Sequence, residues 1–413
     1  MTAKLKICDD TKIQIPQFFW KKDGESYIVW REGGSSFVEL SEDSLTALRL
    51  LQERNSLQDV SQMLKEKYGE IYDVKRFISE LTHLGFVSSI GGTPVPLSQP
   101  KGGTFSFIDR KHVSWVYSRP LLICYLFLIG LTLLILASYP AYLPRYSDYF
   151  FHESYLITLV ISTLTGFALV SIHELAHLIA GKSVGVHGYF SLGMRLYLPV
   201  AETNLTQLWK VPRGKRYIPF VAGLLNDGLF VAVTIILLWL SDLGLVPRVE
   251  LIYAFGKFLV LVLSFGIIWQ FLFFVRTDIY YVVSNLLGCR NLYDDSWNLI
   301  LNTFSSSLRL STRSVEIPTK ELRIIKLYAP FMLIATVMSI SAFTLFGLPI
   351  LFQIFLEAIQ TLSLGCKANL LDFVEGLLLT CLTSLHIVGF VYFSARGFLQ
   401  LRKRLKEYRI STD

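Results

Sequence analysis

The sequence carries little charge for its length and few cysteines. Charged residues make up 17% of the 413 residues, whereas soluble domains carry about 25%. Hydrophobic residues make up 52%, and the mean hydropathy is +0.48. This balance excludes a disordered or collagen-like chain and makes a membrane protein the leading class. The five cysteines lie apart without paired spacing, which argues against a disulfide scaffold and against a cysteine-based zinc site.

The first ninety residues are more polar than the rest and predict a separate small domain. Short apolar runs at 27–30 and 37–40 are bounded by glycines and predict strands. Ser56, with Asp59 three residues later, forms a capping-box pattern that predicts the start of one of three amphipathic helices. We therefore expect a winged-helix-like α+β domain over residues 1–90.

Long apolar runs follow a linker rich in glycine and proline, which we place at residues 91–115. Each run is long enough to cross about 30 Å of hydrocarbon as a helix. We expect an α-helical polytopic membrane domain of about six transmembrane helices over residues 116–400, and a basic cytoplasmic tail at 401–413. The six runs cover residues 121–138, 155–180, 217–240, 251–275, 327–356 and 370–395.

The basic residues are distributed unevenly among the connections between these runs. They crowd before the first run, in the second-to-third and fourth-to-fifth connections, and in the tail. The opposite connections hold little more than Arg145, Arg248 and Lys367. Because basic loops stay in the cytoplasm, we expect a multi-pass protein of the cell (inner) membrane with both termini cytoplasmic and the lipid bilayer as a partner. The net charge of +7 then reflects topology, and we expect no nucleic-acid partner.

The second apolar run contains Ser171-Ile-His173-Glu174-Leu-Ala-His177. Two histidines four residues apart share one helix face, so both imidazoles can bind one ion at about 2 Å. The glutamate between them is placed to take a proton from a water molecule at the metal. Such residues inside a span are costly unless they are paired or ligated. We therefore predict a metal site with Zn²⁺ as cofactor; two histidines bonded to neighbouring helices are the alternative.

A catalytic zinc site needs a third protein ligand and one open position. Two carboxylates lie at a matching depth: Asp278, just past the cytoplasmic end of the fourth run, and Asp227, inside the third. Either could complete the site, and the other would support a ligand or contact the substrate.

The zinc helix, followed two spans later by an aspartate, resembles the intramembrane metalloproteases of the site-2 protease type. In the related group of peptide zinc metalloproteases, a Leu-Asp-Gly-Tyr-Tyr segment supplies the third ligand. This chain has Thr-Asp-Ile-Tyr-Tyr at 277–281. The resemblance implies that His173, His177 and Asp278 bind the metal. It also implies that Glu174 is the catalytic base.

The resemblance extends to the span between these elements. The family has an Ala-Gly-Pro-x-x-Asn element there, in which the asparagine helps to hold the substrate near the metal. Ala222-Gly223 matches its start and Asp227 occupies the asparagine position. This implies a substrate-binding role for Asp227 or its neighbour Asn226. Residues 188–200 alternate enough to predict a hairpin or re-entrant loop beside the site, and such an edge could pair with an extended peptide.

The amino-terminal module resembles a second family, the PqqD-like recognition domains, in the order of its elements and in the pattern from Phe37 to Val87. Those domains bind leader segments of ribosomally made peptides, which add as a strand to the small sheet and lie against the third helix. The resemblance implies a groove that involves Tyr27, Val29 and Phe77. A winged helix that contacts DNA is the alternative, but its helices present no basic face.

These features predict a zinc-dependent metalloendopeptidase that cleaves a ribosomally synthesised precursor peptide captured by its amino-terminal domain. The process would be peptide or bacteriocin maturation or export, with a peptide exporter or a modifying enzyme as a further partner. One alternative is a non-catalytic membrane adaptor, an immunity or export component that binds the modified peptide. Another is a transporter with Asp227, Asp278 and His173 as a proton relay, although the internal repeat common in transporters is not evident.

Overall fold

The fold is that of a computed structural model, in which the chain is largely helical. Residues 96–103, 105–106 and 411–413, which belong to the expected linker and tail, lie outside the residues that it describes. It describes residues 11, 13–24, 26–31, 37–53, 56–69, 72–95, 104, 107–195, 198–289, 291–307, 319–368 and 370–410.

The amino-terminal module combines short strands with three helices, as expected. Three strands form one antiparallel sheet in the order β2-β3-β4, and three shorter ones form a second in the order β1-β5-β6. The elements are β1 (Ile13–Gln14), β2 (Phe18–Asp23), β3 (Ser26–Arg31), β4 (Phe37–Leu40), α1 (Glu42–Gln52), α2 (Leu57–Tyr68), α3 (Val74–His83), β5 (Ser89–Ile90) and β6 (Thr93–Pro94).

Local signals in the sequence account for the ends of these elements. The capping box before α2 is present: the Asp59 amide donates to Ser56 Oγ over 3.1 Å, and the Ser56 amide donates to Asp59 Oδ2 over 3.2 Å. Strand β6 pairs with β5, so the module continues four residues beyond the expected boundary at residue 90. The segment expected to be a linker therefore begins with a strand.

The core of the module lies between the sheets and the three helices. Leu48 of α1, Val60 of α2 and Ile78 of α3 are fully buried in it. Val29 on β3 is also fully buried there. Strand β3 is the central strand, paired on both sides by β2 and β4. The expectation that Val29 lines a peptide groove is therefore wrong in this structure, because its side chain packs inward and its strand is not at a sheet edge.

The rest of the chain is built mainly from long helices. Its one strand pair among the described residues, β7 with β8, follows the second long helix, where a hairpin or re-entrant loop was expected. The elements are α4 (Arg110–Val113), α5 (Arg119–Ser138), α6 (Tyr155–Ser183), β7 (Tyr189–Arg195), β8 (Leu198–Asn204), α7 (Arg213–Asp242), α8 (Glu250–Gln270), α9 (Asp278–Leu287), α10 (Leu292–Ser307), α11 (Thr319–Ala342), α12 (Leu348–Ala368) and α13 (Leu370–Ile410).

Five helices among the described residues are long and apolar enough to cross a membrane: α5, α6, α7, α8 and α11. Their outer faces are apolar as well as exposed. On α5, for example, Ile123 is 68% exposed and Phe127 and Leu134 are each 67% exposed. Contiguous apolar surface on this scale is unfavourable in water. Five such helices with exposed apolar faces fit a multi-pass membrane protein.

The last third of the chain differs in detail from the expectation. The fifth apolar run divides into α11 and α12, which are joined by a π-helical segment at Phe343–Gly347. The sixth run lies in α13, whose described apolar stretch covers only Gly376–Gly389. A sixth span therefore stays a prediction. Helix α13 continues to Ile410, so most of the expected tail is helical.

The chain divides into two compact units. The first contains Met1–Val113 with two short segments, Gly181–Tyr189 and Asn204–Tyr217. The second contains the remaining residues, including most of the long helices. The first unit is thus the amino-terminal module together with the chain at the end of α6 and the start of α7.

A buried ion pair joins the two parts of the first unit. The Arg216 guanidinium, which is 1% exposed, donates to Asp23 Oδ2 over 2.7 Å. It also donates to the carbonyl oxygens of Val211 and Trp209 over 2.7 and 2.9 Å. Nearby, the Lys210 ammonium lies 5.9 Å from the centre of the Trp30 ring. One charged side chain therefore ties the β2–β3 turn to the start of α7.

Candidate metal centre

Helix α6 presents the first three candidate residues from one buried face. His173, Glu174 and His177 are 7%, 8% and 5% exposed. The two imidazoles are four residues apart, so they lie one turn apart on the same side of the helix. Their ligand atoms and a carboxylate oxygen of Glu174 all lie within 4.8 Å of one another. The spacing seen in the sequence therefore brings the three side chains to one point.

Asp278 comes to the same point from α9. Its Oδ2 atom lies 3.2 Å from His173 Nε2 and 3.1 Å from His177 Nε2, and the two Nε2 atoms are 3.2 Å apart. Three atoms at about 2 Å from one tetrahedral ion would be about 3.3 Å apart. The observed triangle therefore fits a single zinc-sized ion held by three protein ligands.

The far side of each imidazole is held by a hydrogen bond to α7. His173 Nδ1 lies 2.7 Å from Asp227 Oδ2, and His177 Nδ1 lies 2.8 Å from the Pro219 carbonyl oxygen. With Nδ1 donating in both rings, both Nε2 lone pairs point at the shared ligand position. This is the arrangement in which outer hydrogen bonds orient metal-binding histidines. Of the two aspartates left open by the sequence, Asp278 is at the ligand position and Asp227 supports His173.

Electrostatics also favours a cation at this point. Asp227, Glu174 and Asp278 are all less than 10% exposed and lie around the same two imidazoles. Three buried carboxylates repel one another unless positive charge offsets them.

Gly223 on α7 lies directly against the two histidines. A Cβ atom placed there would come within 2.3 Å of His173 Nε2 and 2.6 Å of His177 Nε2. Carbon atoms in contact are normally separated by about 3.5–4.0 Å, so no other residue fits without moving the imidazoles. At the Ala222-Gly223 pair noted in the sequence, the backbone of α7 therefore lies close to the candidate metal position.

The loop before α9 places Asp278 at the first position of its helix. The Thr277 hydroxyl donates to the Gln270 carbonyl oxygen over 2.7 Å, and the Asp278 amide donates to Gln270 Oε1 over 3.1 Å. Arg276 has a φ of +58°, in the left-handed region. Such a φ is uncommon outside glycine, asparagine and aspartate. The reversal at Arg276 lets the chain leave α8 and turn the Asp278 carboxylate toward α6.

The β7–β8 hairpin is attached to α6. The Thr203 hydroxyl on β8 donates to the Glu174 carbonyl oxygen over 2.9 Å. Across the hairpin, the Ser191 hydroxyl donates to the Glu202 carbonyl oxygen over 3.3 Å. The strand pair therefore lies beside the catalytic glutamate candidate, as the sequence predicts.

The remaining candidate residues lie elsewhere or play another part in the geometry. Asn226 is partly buried on α7, next to Asp227. Tyr27, Val29 and Phe77 belong to the amino-terminal module. Tyr27 and Phe77 pack against its core while partly buried, and Phe77 meets the Tyr72 ring edge to face at 5.8 Å.

Three contributors to the site are missing from the sequence-based prediction: the Pro219 carbonyl, Gln270 and Arg276. Pro219 acts through its backbone carbonyl, and Gln270 acts through a hydrogen bond to a backbone amide. Neither residue type therefore indicates a metal site in the sequence. Arg276 adopts a left-handed backbone conformation that its residue type does not predict.

In comparisons with models of protein families, with characterised proteins and with solved structures, nothing matches this chain.

Proposed function

We propose that this protein is a membrane-embedded zinc metallopeptidase of the site-2 protease type. The observation that carries the proposal is the triangle formed by His173 Nε2, His177 Nε2 and Asp278 Oδ2, with sides of 3.1–3.2 Å. Support comes from the hydrogen bonds that orient both imidazoles. Neutral imidazole and carboxylate ligands with one open position are typical of catalytic zinc.

In this proposal His173, His177 and Asp278 hold the ion, and Glu174 handles protons. An ion held there would supply the Lewis acidity needed to activate a water molecule and to polarise the scissile carbonyl. Glu174, whose carboxylate lies within 4.8 Å of the imidazole nitrogens, accepts a proton from the attacking water. It then gives that proton to the leaving amine, so that it acts first as general base and then as general acid. Asp227 keeps His173 in the required tautomer.

The substrate in this proposal is a ribosomally synthesised precursor peptide, recognised in part by a PqqD-like amino-terminal domain. Because β3 is the central strand, the leader would pair with the outer edge of β2 or of β4, the two strands at the ends of the sheet. Backbone hydrogen bonds at such an edge give affinity without strict sequence requirements. Tethering raises the local concentration of the cleavage site to about the millimolar range for a short linker, so the metal site itself can be permissive.

The scissile segment would extend beside the β7–β8 hairpin. Thr203 attaches this hairpin to the residue that carries the catalytic carboxylate. An extended peptide paired with the hairpin would therefore run close to Glu174. We place both termini and this hairpin on the cytoplasmic side of the cell membrane, because the basic residues concentrate in those segments. In this proposal a peptide exporter or a modifying enzyme is a further partner in maturation.

The test is cleavage of the precursor peptide encoded nearby. Wild type and Glu174→Gln are purified in detergent, incubated with this peptide, and the products are followed by mass. We expect one defined cleavage with wild type and none with Glu174→Gln, while both retain zinc. Equal results for the two proteins, together with the absence of stoichiometric zinc, would instead indicate a non-catalytic adaptor.

A further inference from the structure

A cavity of about 310 Å³ lies in the first unit, formed by residues that the metal centre does not use. One wall comes from the chain around α4 and the other from the end of α6 and the turn that follows. The lining residues are Ile108, Asp109, Arg110, Lys111, Lys182, Gly185 and His187.

Positive charge dominates this cavity. Arg110, Lys111 and Lys182 carry three cationic groups, and His187 adds a titratable one, against the single carboxylate of Asp109. Lys182 is 3% exposed, an unusual degree of burial for a lysine. The cavity therefore offers a concentrated positive potential to a small ligand.

Hydrogen bonds between the two walls hold the cationic groups in place. The Arg110 Nε–H donates to the Ser183 carbonyl oxygen over 2.9 Å, and the Lys182 ammonium donates to the Ile108 carbonyl oxygen over 3.2 Å. A guanidinium has four further N–H donors beyond Nε–H. Arg110 is thus oriented by one bond while its terminal nitrogens can donate to an anion.

The position of the cavity along the chain indicates which kind of anion it would bind. The candidate span at Ile157–Ser183 ends at the cavity wall, so the cavity lies where α6 leaves the hydrocarbon. Phe107, beside the lining, is 75% exposed, and aromatic side chains are enriched at the membrane interface. By the distribution of basic residues this end faces the cytoplasm, and anionic lipid head groups populate that leaflet.

We propose that this cavity binds the phosphate of an anionic phospholipid head group. The phosphate is recognised by Arg110, Lys111 and Lys182. Basic pockets at the cytoplasmic ends of transmembrane helices are suited to such head groups. This proposal is independent of peptidase activity, because none of the lining residues contacts the metal position.

The test counts bound lipid by native mass spectrometry of the full chain in detergent, titrated with phosphatidylglycerol or phosphatidylcholine. We expect wild type to bind phosphatidylglycerol in preference to phosphatidylcholine. Lys111→Glu should weaken phosphatidylglycerol binding about tenfold or more. Arg119→Glu is the matched control, because Arg119 is an exposed basic residue at the start of α5 outside the cavity lining. It should leave lipid binding within about twofold of wild type.

Three results would overturn the proposal. Equal binding of the two lipids by wild type would show no head-group recognition. Equal losses in Lys111→Glu and Arg119→Glu would indicate general surface charge instead of this cavity. In a third arm, full displacement of phosphatidylglycerol by inorganic phosphate at similar concentrations would assign the cavity to free phosphate. Zinc content, measured on every variant, should be unchanged, which separates this test from that of the metal centre.

Discussion

The Nδ1 atom of His173 lies 2.7 Å from the Oδ2 atom of Asp227, on the opposite side of the ring from the proposed metal position. In the proposed metal centre, Asp227 would therefore act through the imidazole that it orients, whereas Asp278 lies on the other side, 3.2 Å from His173 Nε2. The two aspartates contact opposite sides of the same imidazole.

This division of roles predicts the effect of substitutions at Asp227. Asp227→Ala should weaken zinc binding about 10- to 100-fold, the usual effect of losing such an outer hydrogen bond. Asp227→Asn should weaken zinc binding less than Asp227→Ala does, because the amide oxygen of asparagine can still accept a hydrogen bond from the Nδ1–H group of His173. Zinc affinity is measured by competition with a chelator. Asn226→Ala is the control on the same helix, and a loss there as large as in Asp227→Ala would contradict the assignment.

The close approach of Gly223 predicts a strong effect of a single methyl group. Gly223→Ala places a Cβ within 2.3 Å of His173 Nε2, so the imidazoles must shift and zinc retention should fall at least about tenfold. Gly228→Ala, on the same helix, meets nothing closer than Ile129 at 3.4 Å and should retain zinc. Zinc per chain is measured after gel filtration. Similar zinc content in both variants would show that the backbone does not lie against the site.

The left-handed conformation of Arg276 predicts an unusual order of substitutions. Arg276→Gly keeps the required φ at no steric cost, whereas Arg276→Val forces a β-branched residue into it. Both lose the ion pair with Asp294 and the stacking on Tyr293, so their difference isolates the backbone. We expect Arg276→Gly to retain zinc and Arg276→Val to lose it. The opposite order would mean that the side chain, not the turn, positions Asp278.

The buried Arg216–Asp23 pair predicts a stability effect in the first unit. Arg216→Met removes the guanidinium that lies 2.7 Å from the Asp23 carboxylate. Removing one partner of a buried ion pair lowers the free energy of unfolding by about 3–5 kcal/mol. Arg213, 46% exposed and 3.9 Å from the same carboxylate, is the matched control. Arg213→Met should cost no more than about 1 kcal/mol. Unfolding in denaturant, monitored through the protease sensitivity of the amino-terminal module, measures the free energy of unfolding of both variants. Equal losses of stability in the two variants would contradict the assignment of Arg216 as the buried partner of Asp23.

The long helices and the shared face of His173 and His177 on α6 are the features that the sequence predicts best. Apolar runs at 121–138, 217–240 and 251–275 fall within a few residues of α5, α7 and α8, because the hydrophobic length needed to cross a bilayer is a strong one-dimensional signal. The spacing of His173 and His177 likewise determines that they share a face. Both features depend only on local sequence.

Contacts between distant segments could not be predicted in the same way. Which aspartate meets the Nδ1 side of His173 and which meets the two Nε2 atoms depends on how α7 and α9 approach α6, and helix spacing alone left this open. The burial of Val29 is a second feature that the local sequence does not predict. The apolar run 27–30 predicts a strand, but both Ile28 and Val29 are fully buried. One reason is that β3 also contacts the segment at Thr206–Lys210, far away in the sequence.

The most direct test of the account is the amount of zinc bound per chain, measured by inductively coupled plasma mass spectrometry on protein purified without added metal. The account predicts about one zinc per chain in wild type and in Glu174→Gln, since the glutamate is not a ligand. It predicts less than about a tenth of that in His173→Ala and Asp278→Ala. Wild type that contains no more zinc than His173→Ala, even after zinc is supplied, would contradict it.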